Sequence, residues 1–181
     1  MRLFVAVQPP DDVLDAVAAL PRPERPDVRW TRRDQWHVTL RFLGEVDDPD
    51  PVAAALDAAP LPPAEAVMIS GPKMIGAAAI GLPVTGVDAL AAAVVAATAT
   101  FGQPPETRRY HGHLTLARTR ARRRGGRSGL PHWASGLFDD EAAFDRRFPV
   151  DAVRLIRSRL GPGGARYEDL HIRPLESPSD A

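Results

Sequence analysis

The sequence has 181 residues, 44% of them hydrophobic and 25% charged, the make-up of one soluble globular domain long enough to bury its own core. Cysteine is absent, which excludes disulfides and thiolate metal sites, and no apolar run approaches the length of a membrane span. Lys and Arg together number 23, as do Asp and Glu, and this balance argues against a general nucleic-acid coat.

The opening residues carry no cleavable signal pattern, so a cytoplasmic location is the default expectation. Residues 2 to 8 alternate and are β-prone, predicting a first strand. Pro9, Pro10, Asp11 and Asp12 mark a helix start, and Val13, Leu14, Val17 and Leu20 keep helical spacing over about 10 to 20. A proline-rich loop leads to a short strand at 28 to 31, a turn at 32 to 35 and a strong strand at 36 to 43. A second helix is expected over 51 to 59, strands over 65 to 70 and 78 to 84, and an alanine-rich helix over 87 to 100. A strand follows at 110 to 118. Arg118, Arg120, Arg122, Arg123, Arg124 and Arg127 then lie among glycines, which predicts a flexible basic loop. Residues 130 to 141 look irregular and 144 to 148 suit an edge strand. Residues 150 to 160 and 166 to 174 form two strands around a Gly-Pro-Gly-Gly turn.

One pattern occurs twice: His37-Val38-Thr39-Leu40 and His113-Leu114-Thr115-Leu116. On a strand, side chains alternate faces, so His and Thr are displayed together while Val38, Leu40, Leu114 and Leu116 anchor the other face. Two histidines facing one cleft can act as one acid and one base, because imidazole titrates near neutral pH. Thr39 and Thr115 hydroxyls could donate to the non-bridging oxygens of a phosphodiester, whose charge grows in the transition state. Each strand segment follows a helix-containing stretch of similar layout, which suggests two related halves. A metal site is the competing chemistry, since His111 and His113 share a strand face; no carboxylate stands nearby as a third ligand, and no metal or other cofactor is expected. Only Lys73 among the basic residues is lysine. Arginine's planar fork suits phosphate, though biased codon usage gives the same excess and the arginine loop suits a solvated surface equally well.

The chain resembles the two-histidine phosphoesterase superfamily, and within it the RNA 2′,3′-cyclic phosphodiesterases of the ThpR/LigT type. The likeness rests on Arg2-Leu3-Phe4-Val5-Ala6-Val7, on Trp36-His37-Val38-Thr39-Leu40-Arg41-Phe42-Leu43-Gly44-Glu45, on His113-Leu114-Thr115-Leu116-Ala117-Arg118, and on Ser158-Arg159-Leu160 with Gly163-Gly164-Ala165-Arg166-Tyr167. It implies an α+β fold: one bilobal domain over 1–181, with two pseudo-symmetric lobes, two antiparallel sheets, helices outside and a central groove. It implies hydrolysis of 2′,3′-cyclic phosphate ends of RNA to 2′-phosphates. His37 is then the acid for the leaving 3′ oxygen, His113 the base for water, and Thr39 and Thr115 bind phosphate. Arg118 matches a frequent family arginine that would contact substrate, yet simple alternation puts it on the face opposite His113. Gly112 departs from the family, whose members often have Pro before the second His. RNA with cyclic phosphate ends is the implied partner, with no membrane and no obligate protein partner. Other substrates within the superfamily are a small cyclic nucleotide or a 2′–5′ linkage, including reverse ligation. A non-catalytic RNA-end binder is the reading from another class.

Overall fold

Leu3, Val5 and Val7 are completely buried on one side of the first strand, and Phe4 and Ala6 are buried on the other. A strand sealed on both faces sits inside a sheet rather than at its edge. The computed structural model describes residues 1–119, 134, 144–161 and 164–176. Its strands are β1 (Arg2–Val7), β2 (Val28–Trp30), β3 (Val38–Glu45), β4 (Glu65–Met68), β5 (Lys73–Ile75), β6 (Ala79–Thr85), β7 (His113–Thr119), β8 (Arg146–Pro149), β9 (Ala152–Gly161) and β10 (Gly164–Pro174). Its helices are α1 (Asp11–Ala19), α2 (Asp50–Ala58) and α3 (Asp88–Ala97). The expected arginine loop beyond Thr119 and the irregular stretch at 130 to 141 lie outside the described residues, apart from Ala134.

The strands follow the order β10-β9-β1-β3-β7-β6-β4-β8, with β2 paired to β7 and β5 to β6. Every pairing is antiparallel. The α+β expectation of two antiparallel sheets with helices outside therefore takes the form of two antiparallel halves, β10-β9-β1-β3 and β7-β6-β4-β8. They meet through a single register pair, Val38 with Leu114. Val13, Leu14 and Val17 of α1, Val52 and Leu56 of α2, and Leu90, Ala91 and Val94 of α3 join Leu3, Val5, Val7, Val38 and Leu114 in one core. Phe4, Ala6 and Ile156 cluster separately with Tyr167 on the opposite face.

A buried arginine braces this core. Arg41 donates to the carbonyl oxygens of Val95 (3.1 Å), Phe101 (3.1 Å) and Gln103 (2.9 Å). The last turn of α3 carries no basic residue of its own. Arg41 supplies the positive charge that a helix C-terminus favours and ties α3 under β3.

Candidate active site

The two repeated tetrapeptides lie on the two strands that meet at the centre of the sheet. Val38 pairs with Leu114, so one antiparallel step to either side sets His37 opposite Thr115 and Thr39 opposite His113. Each histidine thus faces the other strand's threonine. Val38, Leu40, Leu114 and Leu116 point into the core. His37, Thr39, His113 and Thr115 take the opposite face and are all half-buried. His37 lies one residue before β3 begins, whereas the sequence predicts a position inside the strand.

The same local device orients both rings. His37 Nδ1 lies 2.8 Å from the carbonyl oxygen of Gln35, and His113 Nδ1 lies 2.9 Å from that of His111. A carbonyl only accepts, so Nδ1 carries the proton in each ring. Nε2 is then the end available for chemistry: a base when the ring is neutral, an acid when it is protonated. Among the described residues no group of three His, Asp, Glu or Cys could hold a metal ion.

His37 has aromatic walls that sequence reasoning does not assign to the site. Its ring centroid is 4.7 Å from that of Phe4 and 5.0 Å from that of Tyr167, which stands edge-on at 89°. Burial pushes the His37 pKa down to about 4 against the partial support of the Gln35 carbonyl, and the charges of His113 and Arg118 lower it further. Burial raises the Tyr167 phenol, while Arg118 and Arg2 oppose that shift and Asp34 adds to it. Gln35, expected to be a plain turn residue, is buried. Its Nε2 donates to the Ala165 carbonyl of β10 at 2.7 Å, and its Oε1 accepts from the Arg32 amide at 3.1 Å.

Arg118 requires a correction. Gly81 of β6 pairs with Thr115, but the next pair is Ile80 with Ala117. Leu116 is therefore an extra residue in β7, a bulge that resets the alternation. The following row, Ala79 with Arg118, returns to the face of Thr115. Arg118 is exposed there, close enough for its charge to act on His37 and Tyr167.

With only one ladder pair at the join, side chains hold the two central strands together. The Thr31 hydroxyl lies 2.7 Å from the Thr115 carbonyl oxygen and 2.8 Å from that of Leu116, and accepts from Trp36 Nε1 at 2.9 Å. Its single proton serves one carbonyl at a time. Tyr110 donates from its hydroxyl to the Thr39 carbonyl at 2.9 Å. Gly112 fits the same close approach: a Cβ there would sit on the Val84 carbonyl oxygen. Gly112 thus leaves room for the start of β7 against β6.

A family model described as LigT like phosphoesterase matches residues 4–67. No curated protein matches the chain. Among solved structures, TT0787 of Thermus thermophilus is 26% identical, with 97% of this chain and 98% of that chain covered at a TM-score of 0.73. E. coli LigT complexed with 3′-AMP is 22% identical, with 96% and 97% covered and a TM-score of 0.72. E. coli LigT complexed with NADP+ is 21% identical, with 96% and 97% covered and a TM-score of 0.70. The two E. coli likenesses are of fold. No helix among the described residues is long and apolar enough to cross a membrane.

Proposed function

We propose that the chain is a LigT-like phosphoesterase of the two-histidine superfamily and that it hydrolyses RNA 2′,3′-cyclic phosphodiester ends to 2′-phosphomonoesters by acid–base catalysis without a metal. The observation that carries this is the crossed arrangement of His37 with Thr115 and His113 with Thr39, with each Nδ1 engaged by a carbonyl and each Nε2 left for chemistry. The whole chain, 1–181, acts as one unit in which each half of the sheet brings one His-x-Thr pair. The phosphate-bearing nucleotides in the E. coli LigT structures, 3′-AMP and NADP+, agree with a nucleotide-ended substrate.

In this assignment His113 Nε2 takes a proton from water as the water oxygen bonds to phosphorus. The bond from phosphorus to O3′ breaks, and His37 Nε2 delivers its proton to O3′, leaving the phosphate on O2′. The Thr39 and Thr115 hydroxyls donate to the non-bridging oxygens as their charge grows. Arg118, on the same face, offers its guanidinium to the RNA phosphate. His37 is neutral at pH 7 in the free protein, chiefly because it is buried, and the negative charge of the bound substrate draws a proton back onto it.

The test is a cyclic-phosphate-ended oligonucleotide incubated with excess chelator, with the phosphate position of the product determined. Full activity and a 2′-phosphate are expected. Loss of activity on chelation with recovery on adding zinc would overturn the metal-free pair, and a 3′-phosphate product would overturn the assignment of the leaving oxygen.

A further inference from the structure

We infer that Gln35 and Tyr167 are positioning residues for His37: they clamp the hairpin of β9 and β10 over the imidazole and fix the direction of its Nε2. The inference deepens the proposed role of His37 and rests on it.

Three contacts of one residue make the clamp. The Gln35 backbone carbonyl holds His37 Nδ1 at 2.8 Å. Its side-chain Nε2 holds the Ala165 carbonyl at 2.7 Å, two residues before Tyr167. Its Oε1 takes the Arg32 amide at 3.1 Å, which closes the short turn Arg33–Gln35. Both ends of the amide are used in the sense their chemistry requires, so the side chain has one orientation. The turn that pins the imidazole and the strand that carries Tyr167 thus share one buried connector.

Tyr167 completes the restraint. It meets Phe4 at 5.1 Å, nearly perpendicular, and the two rings flank the imidazole. A half-turn of the imidazole about Cβ–Cγ would put Cε1 where Nε2 stands and Cδ2 against the Gln35 carbonyl. With Nδ1 bonded and aromatic rings on the ring's flanks, that half-turn requires breaking the Gln35 bond and displacing Tyr167. Charge reaches this group from β7 through His113 and Arg118. Arg2 on β1 and Asp34 in the turn act on Tyr167 in the same cluster.

The experiment compares Tyr167→Phe, Tyr167→Ala and Gln35→Leu with wild type. Each is followed by NMR titration of the His37 ring proton and by kcat and KM on a cyclic-phosphate-ended oligonucleotide. Tyr167→Phe keeps the ring and should match wild type. Tyr167→Ala should move the His37 midpoint upward by about one pH unit as water reaches the ring. It should also lower kcat about tenfold with little change in KM, because misplacement acts on the reacting geometry. Gln35→Leu should lower kcat similarly, and the double variant should be little worse than either single, since the residues act as one unit. Should Tyr167→Ala not fold, Tyr167→Leu carries the same expectations. A folded Ala or Leu variant with wild-type His37 titration and turnover overturns the inference, as does a loss of kcat in Tyr167→Phe. A wild-type protein that does not cleave the oligonucleotide overturns the proposed function instead, while the His37 titrations still decide the clamp.

Discussion

Binding of phosphate should restore the proton that the folded protein denies His37. In the free protein that ring is held at a pKa of about 4, against an ordinary value of 6.5. The gap is worth about 3 kcal/mol and leaves roughly one molecule in 10³ protonated at pH 7. An acid so rarely charged cannot serve unless the substrate charges it. A unit negative charge about 4 Å away in a partly screened site is worth about 4 kcal/mol. That exceeds the gap, so a bound phosphate suffices. The measurement is the NMR titration of the His37 ring proton with and without saturating inorganic phosphate. The free midpoint should lie near 4 and the bound midpoint above 6. By linkage, phosphate should bind more tightly as pH falls from 7 toward 5. A bound His37 still neutral at pH 6 would refute the acid role and exchange it with that of His113. A free midpoint near 6.5 would refute the burial argument itself.

Three further outcomes follow from the same geometry. His37→Ala and His113→Ala should each abolish most cyclic-phosphate hydrolysis while melting like wild type, and the double variant should be little worse than either, measured by steady-state kinetics. Thr31→Val leaves the Trp36 indole N–H and a β7 carbonyl without their partner; urea denaturation should show a loss of about 2 kcal/mol with an unchanged slope. Because the folded state prefers neutral His37 and the unfolded chain accepts a proton at an ordinary pKa, the penalty from this ring is absent above about pH 6.5. It grows as pH falls, reaching about 3 kcal/mol below pH 4. His37→Phe should therefore lose less stability than wild type between pH 7 and 4.5 in matched urea melts, and equal losses would contradict the burial of the ring.

The parts legible in the sequence are those governed by neighbours along the chain. Val13, Leu14 and Val17 keep helical spacing and all three are buried, so α1 stands where periodicity places it. Strand alternation suffices to put each His with its Thr and their apolar partners on opposite faces. Lys73–Ile75 reads as a connection because three residues show no periodicity; it becomes β5 only through pairing with β6. Simple alternation puts Arg118 on the wrong face because the Leu116 bulge is a property of pairing between strands. Gln35 and Tyr167 carry no local signal as site residues for a related reason. Their relation to His37 is created when β10, far along the chain, arrives beside the turn.

The position of β1 between β3 and β9 governs when this protein can come into being. During synthesis β3 can cover one edge of β1 early. The other edge stays open until Ala152–Gly161 has left the ribosome. Until then a strand carrying Leu3, Val5 and Val7 presents unpaired backbone, a template for pairing with other chains. Contacts between such distant segments also make folding slow, because the loop must close before the contact contributes. His37 acquires its Tyr167 wall later still, with the final hairpin. A nascent or truncated chain that stops short of β9 therefore leaves one edge of β1 open, and a strand made early is among the last to be secured.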